Sequence, residues 1–370
     1  MSAAVAAVAP ALAALGPGRL ICLHVGPRLT PWLERFLGRP VHYAPRLPAR
    51  DVAAVVGWGL KGVSREAHAA ARRAGLPYIA LEDGFLRSLG LGDTDAALSL
   101  VVDDLGIYYD ASAPSRLEAL IARAPDAARR ARGAALAARW CAGRVSKYNH
   151  APEAPSPVVG PYVLVVDQTA GDASIVHGLA EATSFARMLE AALDEHPRLP
   201  VILKVHPDVV AGRRQGHFGR LGPAQAARVT LLAADAHPPA LLEQATSVYT
   251  VTSQMGFEAL LWGKPVRCFG LPFYAGWGLT GDALPAPPRR AAVRGVTVAD
   301  LAHAALIDYP RCLDPLTQRP GEPEALLDWL AAQRRLPPGQ RSSAPAPGAD
   351  EPLRWRALRA LKRARDRWRR

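Results

Sequence analysis

Cysteine is scarce and scattered. Cys22, Cys141, Cys268 and Cys312 lie far apart and form no CxxC pair. That excludes a disulfide framework and a zinc ribbon, and leaves ordinary reduced thiols. Long hydrophobic runs are also missing: no uncharged segment reaches the roughly 20 apolar residues of a bilayer-spanning helix. The Ala-rich start MSAAVAAVAPALAALGPG has no Lys or Arg before Arg19, so the positive n-region of a secretory signal is lacking. No GxxxxGK[ST] occurs and no GxGxxG opens a helix after a strand, which disfavours P-loop and dinucleotide oxidoreductase chemistry. Asp93/Asp95 and Asp103-Asp104 have no third ligand nearby in sequence. No required metal is expected.

Acidic residues are the minority, 33 Asp+Glu against 45 Lys+Arg, for a net charge of +12. At face value such an excess suits a polyanionic partner: nucleic acid, a membrane surface or a phosphorylated substrate. The excess is local, however. Residues 353–370, LRWRALRALKRARDRWRR, carry eight Arg and one Lys against Asp366, which leaves only +4 for the remaining 352 residues. A nucleic-acid protein is expected to carry its basic face on the fold itself, so no nucleic-acid partner is expected. In the tail, Trp355, Leu358, Leu361, Ala364 and Trp368 recur at helical spacing and form an apolar stripe flanked by arginines. A helix of this kind suits an anionic membrane surface. A terminal helix docked on the protein, or a solvated tail, is the plainer alternative. The chain is expected to be cytoplasmic, attached to a membrane at most peripherally.

Hydrophobic residues at 49% and charged residues at 21% of 370 are globular values and rule out a disordered chain; the length fits two or three domains. Short apolar runs at 19–26, 51–59, 77–84 and 99–106 read as strands, with helices at 64–75 and 115–125 and a basic helical stretch at 126–146. Strands alternating with helices imply βαβ units and a parallel sheet. A second series follows the Pro-rich run 150–161: strands at 162–168, 199–207, 228–235, 247–252 and 265–270, and helices at 177–197 and 253–264. Helices at 296–308 and 322–335 close the pattern. The expected fold is α/β, two Rossmann-like domains facing a cleft in the manner of GT-B glycosyltransferases, or of an epimerase built likewise, with a C-terminal basic amphipathic helix. The expected domains are 1–150 on the acceptor side, 151–290 on the nucleotide-sugar side, closing helices 291–336, a flexible spacer 337–352 and the tail 353–370.

In open α/β sheets, ligands sit beyond the carboxyl ends of strands, and the unusual residues cluster there. Lys204 and His206-Pro207 follow one strand; an imidazole there can donate to a ligand phosphate. Thr252-Ser253 open the helix SQMGFEALLWGK, where backbone N–H groups and a hydroxyl suit an anion, although Ser253 also reads as an ordinary N-cap. Glu258 is placed to accept from ribose hydroxyls. The string from Ser253 to Gly-Lys-Pro-Val is similar to the nucleotide-binding helix of many GT-B enzymes. Two acidic loops remain, Leu81-Glu82-Asp83-Gly84-Phe85-Leu86-Arg87-Ser88 and Asp167-Gln168-Thr169-Ala170-Gly171-Asp172-Ala173-Ser174. Each can be a simple turn. Two carboxylates at one glycosyl centre also suit a retaining double displacement, one as nucleophile and one as acid/base. Arg87 is a candidate partner for a substrate carboxylate.

EDGFLRSLGLG (82–92), VVDDLGIYYDASAPSRLE (101–118), SKYN (146–149), VLVVDQTAGDASI (163–175), KVHPDV (204–209) and TSQMGFEALLWGKPVRCFGLPFYAGWGLTGD (252–282) together resemble the capsular polysaccharide retaining β-Kdo transferases, a family also described as capsule polysaccharide modification or export proteins. The resemblance implies a cytoplasmic enzyme of Gram-negative capsule assembly, peripheral on the inner membrane, that transfers Kdo from CMP-β-Kdo, without a metal, to a lipid-linked Kdo acceptor on phosphatidylglycerol. It implies Asp172 as nucleophile, Glu82 as acid/base, and His206 and Ser253 on the CMP phosphate; Gln168, Thr252, Lys204 and Pro207, beside them in the same strings, are candidate substrate-binding residues. Members commonly carry two modules in tandem. Here one is present, resembling the amino-terminal one, and is expected to form one linkage type, alone or with other capsule assembly proteins. Another CMP- or UDP-sugar transferase on the same fold, or a non-catalytic scaffold of the export complex, are the alternatives.

Overall fold

The computed structural model describes residues 12, 15–23, 32–60, 62–90, 95–153, 156–205, 209, 215–218 and 221–342. His206-Pro207 and the basic tail 353–370 lie outside the described residues. The chain forms two compact units, Met1–Leu105 with Asp308–Arg370, and Gly106–Ile307. The units therefore do not divide at the Pro-rich run 150–161: residues 106–150 belong with the second, and the helix expected at 322–335 belongs with the first.

The first unit begins with β1 (Arg19–Cys22), α1 (Trp32–Leu37), β2 (Val41–Tyr43), β3 (Val52–Trp58), α2 (Gly62–Arg73), β4 (Tyr78–Asp83) and β5 (Ser99–Asp103). The first four strands run parallel. β5 departs from the all-parallel expectation, since it runs antiparallel to β4, with Glu82 opposite Val101. A parallel return needs a crossover, usually a helix; the described part of 84–98 contains none. Alternate strand residues feed the two faces of the sheet: Leu20, Val56, Leu81 and Val102 pack with Phe36 of α1, and Ile21 and Val55 pack on Ala67 and Ala71 of α2.

The second unit opens with α3 (Arg116–Ile121) and α4 (Ala127–Gly143). Then come β6 (Tyr162–Val166), α5 (Ala173–His177), α6 (Ala182–Glu195), β7 (Val201–Lys204), β8 (Val229–Leu232), α7 (Pro238–Gln244) and β9 (Ala245–Thr250). The unit ends with α8 (Gln254–Leu261), β10 (Val266–Cys268), β11 (Gly281–Asp282), α9 (Pro288–Ala291) and α10 (Val298–His303). The helix expected over 177–197 is in fact two. α5 ends at Gly178, Leu179 takes a left-handed φ of 56°, and Glu181 and Ser184 form a capping box that restarts the chain as α6. Phe185, Met188 and Leu189 of α6 then cover Val163, Val165 and Leu203, each burial contributing about 1.5–3 kcal/mol. The six strands are parallel in the order β11-β10-β9-β6-β7-β8. The GxGxxG-spaced string from Gly276 to Gly281 runs through the turn that leads into β11, with no helix opening on it.

The chain then completes the first sheet with β12 (Pro310–Leu313) and β13 (Pro320–Gly321), in the order β13-β12-β5-β4-β3-β1-β2, and α11 (Pro323–Arg335) follows. β12 is antiparallel to β5. The architecture is thus mixed α/β with two sheets, one mixed and one parallel. No helix among the described residues is long and apolar enough to cross a membrane.

Candidate active site

In the second sheet the chain runs outward from β6 through β7 to β8, then crosses to β9 on the other side of β6. The strand order therefore reverses between β6 and β9. A crevice forms at the carboxyl ends of two such strands because their following loops part in opposite directions. The two loops there are 167–172, after β6, and Val251-Thr252-Ser253, after β9.

Side chains tie these loops together. Gln168 Oε1 accepts from the Thr252 N–H at 2.9 Å, and Gln168 Nε2 donates to Thr252 Oγ1 at 3.0 Å and to Ser174 Oγ at 3.3 Å. The Ser174 and Thr252 hydroxyls lie 2.9 Å apart. Gln168 and Thr252 are buried, so both amide and hydroxyl are engaged in bridging the crevice wall.

Asp172 stands at the rim. It is the N-cap of α5, half-exposed, with its carboxylate accepting from the Ser174 N–H at 2.9 Å. Among the described residues that is the only hydrogen bond its side chain makes. Ser253 caps α8, accepting from Met255 N–H at 3.3 Å. Its carbonyl is held by Tyr274 Oη at 2.5 Å, so the start of α8 is fixed from both sides.

Glu258, one turn further along α8, is 2% exposed. Burial pushes its carboxyl up to about 7, against the lowering effect of the Ser146 hydroxyl and the Lys147 N–H and charge. The SKYN segment is a turn closed on itself, with Asn149 accepting from Ser146 N–H at 3.0 Å and donating to Ser146 O at 2.7 Å. Its role is to press Ser146 and Lys147 onto Glu258. Lys204 ends β7 half-buried, and burial lowers its pKa while Asp235 opposes the shift. His206 and Pro207, read as phosphate ligands, lie outside the described residues.

Two motifs are stapled by residues outside them. Arg289 binds Glu118 at 2.6 Å and the carbonyls of Ala111 and Ala113 at 2.6 and 2.9 Å. Arg290, fully buried, binds the other Glu118 oxygen and the carbonyls of Pro272 and Ala275 at 2.8 and 3.1 Å. The 106–118 segment and the Pro272–Ala275 turn thus share one buried carboxylate.

Glu82 and Arg87 belong to the first unit. Glu82, at the end of β4, accepts from Trp58 Nε1 at 2.6 Å. Arg87 is not placed as an open partner for a substrate carboxylate: it is 3% exposed, lies 2.9 Å from Asp83, and donates to Ser88 Oγ at 2.7 Å and Asp95 O at 3.0 Å. Among the described residues no group of three or more His, Cys, Asp or Glu is placed to hold a metal ion. The sequence names Asp167 and Ser174 only as the ends of an acidic loop and does not single out Ser146, Lys147 or His217. SKYN and the Asp167 loop carried the signal, but spacing does not reveal that they meet α8 and residue 217.

The family model described as capsule polysaccharide biosynthesis protein matches residues 53–151 and 134–312. The chain belongs to this family. It is 45% identical over 300 residues to the capsule polysaccharide modification protein LipA of Neisseria meningitidis serogroup B, covering 77% of this chain but 42% of that protein. It therefore spans less than half the length of that relative. It is 38% identical over 307 residues to the lipopolysaccharide-processing protein LpsZ of Rhizobium meliloti, covering 79% of this chain and 68% of that one. Among solved structures it resembles the β-Kdo 2,4 transferase of Thermosulfurimonas dismutans KpsC, with a TM-score of 0.77 and 40% identity over 84% of this chain and 98% of that one. It also resembles the β-Kdo 2,7 transferase of the same protein, with a TM-score of 0.64 and 25% identity over 85% and 99%.

Proposed function

We propose that this family member is a retaining glycosyltransferase that moves Kdo from CMP-β-Kdo to a lipid-linked Kdo acceptor in capsule assembly. The observation that carries the proposal is the 40% identity to a β-Kdo 2,4 transferase across 98% of that chain. The half-exposed Asp172 at the strand-order reversal supports it further.

In the first step the Asp172 carboxylate attacks the anomeric carbon of Kdo. The new bond is carboxylate oxygen to carbon, and the bond to the phosphate oxygen breaks. CMP leaves as an anion that needs no proton. The N-terminus of α8, the Ser253 hydroxyl, Lys204 and His206 favour that anion, because N–H dipoles and cations stabilise developing negative charge. Glu258 is assigned to the ribose. In the second step an acceptor hydroxyl attacks the same carbon and releases Asp172, with Glu82 taking its proton. Two inversions give retention. Gln168 and Thr252 serve by holding the two loops together. No metal is required in this scheme, and transfer is expected to persist in a chelator.

The two solved relatives make different linkages, and the higher identity lies with the 2,4 enzyme, so a 2,4 linkage is proposed. The acceptor is assigned to phosphatidylglycerol at the inner membrane, reached through the basic tail 353–370. Deleting 353–370 is expected to weaken binding to anionic liposomes while sparing transfer to a soluble acceptor; equal binding before and after truncation would refute the tail's role. The deciding experiment supplies CMP-Kdo generated in situ and a synthetic Kdo acceptor, with the product read by mass spectrometry and NMR. Wild type is expected to form a 2,4-linked product and Asp172→Ala none. Full activity in Asp172→Ala sinks the double displacement.

A further inference from the structure

We propose that Asp167 and His217 form a positioning pair that holds the Asp172 loop, and that the imidazole Nδ1 is the atom on which the hold depends. The pair lies outside the roles given above and rests on the reading of Asp172 as nucleophile.

After β7 and a connection of which only residues 205 and 209 are described, the chain returns at 215–218 alongside the start of the Asp172 loop. Ala170 N–H donates to Gln215 O at 2.9 Å. His217 Nδ1 lies 2.9 Å from the Gln168 carbonyl and 3.3 Å from Asp167 Oδ1. A carbonyl only accepts, so Nδ1 carries the proton and donates to both oxygens. The ring is clamped face to face on Phe185 of α6, 3.6 Å away and within 4° of parallel. Phe185 is itself fully buried, so the imidazole cannot swing without losing that stack.

Asp167 completes the arrangement. Its side chain is fully buried. Oδ1 accepts from Gln168 N–H at 2.8 Å and faces His217 N–H at 3.4 Å. Among the described residues Oδ2 has no hydrogen-bond partner. Burial pushes the carboxyl up from its ordinary range, and the nearby imidazole opposes that shift. A Cβ on Gly216 would stand 2.6 Å from Oδ2, so the close approach requires glycine. A buried carboxylate left half satisfied is costly. Its return is geometric: both peptide groups of Gln168 are fixed, the N–H by Asp167 and the carbonyl by His217. Asp172 N–H is bonded to Thr169 O, so rotation at Gln168 passes directly to the nucleophile. A displacement of about 1 Å in a reacting group costs on the order of 10²-fold in rate.

Side-chain geometry supplies the test, made on the full chain. Asn places an amide N–H where Nδ1 stands; Gln places it one atom further out; Phe keeps the stack and loses the donor. Amide hydrogen exchange is followed in the peptide 167–175, together with kcat and KM for CMP-Kdo. His217→Phe is expected to exchange there at least about tenfold faster. Its kcat is expected to fall roughly 10²-fold, with KM within about threefold of wild type. His217→Asn restores both readouts to within about threefold, and His217→Gln does not. If His217→Phe fails to fold, the Asn and Gln variants decide alone. Unchanged exchange in both His217→Phe and His217→Gln, or an Asn variant no better than Gln, overturns the proposal. Because exchange needs no substrate, it reads the pair even if Kdo transfer itself fails.

Discussion

The two acidic loops end strands in different kinds of sheet, and their surroundings differ accordingly. In the first unit β4 is followed by an antiparallel return, and the loop closes on itself: Asp83 against Arg87, Arg87 on Ser88, Glu82 on Trp58. In the second unit the loop after β6 sits where an all-parallel order reverses. It is bridged by neutral groups, Gln168, Ser174 and Thr252, and leaves Asp172 half-exposed. Charges that satisfy each other make a strut; a carboxylate held only through a helix cap remains available to a ligand. The same residue types in similar strings thus acquire different uses from topology.

The sharpest break of this comparison is chemical. Asp172→Asn keeps the cap, since Asn caps as well as Asp, and is expected to lose less than about 1 kcal/mol of stability. Its transfer rate is expected to fall by at least about 10³-fold. Glu82→Gln, measured in the same assay, is expected to fall about 10²- to 10⁴-fold. A Glu82→Gln enzyme as fast as wild type would confine the chemistry to the second unit.

The struts come next. Removing one partner of a buried pair strands the other charge, so Arg290→Met in the second unit and Arg87→Met in the first are each expected to cost about 3–5 kcal/mol in urea unfolding. A loss under about 1 kcal/mol for Arg87→Met would mean that the first loop is not held by its own charges.

Glu258 gives a pH-dependent version. Its folded pKa of about 7 lies above the ordinary 4.5, so the folded state binds its proton more tightly than the unfolded chain. The penalty is absent below 4.5, grows as pH rises to about 7, and stays complete above that, worth roughly 3 kcal/mol by the 1.36 kcal/mol per pK unit relation. Glu258→Gln is therefore expected to gain stability relative to wild type between pH 5 and pH 8. A difference that does not vary with pH contradicts this. The smallest effect is a control on capping: Asp126, the exposed cap of α4, accepts from Arg129 N–H at 2.7 Å, and Asp126→Ala is expected to cost about 1 kcal/mol with no change in transfer.

Strand positions and the acidic loops were legible because period and turn chemistry are local. The direction of β5 was not, since it depends on whether 84–98 contains a crossover helix. The break between α5 and α6 was hidden because Leu179 in a left-handed conformation leaves no composition signal. Arg87 reads as an open cation until Asp83, four residues earlier, is seen folded against it. The Asp167–His217 contact spans 50 residues, beyond any spacing rule. Asp172 and Ser253 stand out in the sequence because each follows a strand and opens a helix, a pattern visible in one dimension.

The most direct measurement is intact-protein mass spectrometry of wild type mixed with CMP-Kdo in the absence of acceptor. A mass gain of one Kdo residue, mapped by digestion to Asp172 and lost in Asp172→Asn, is the expected result. A gain mapped to another residue, or product formation by Asp172→Asn at the wild-type rate, would contradict the assignment of the second-unit loop as the reacting one.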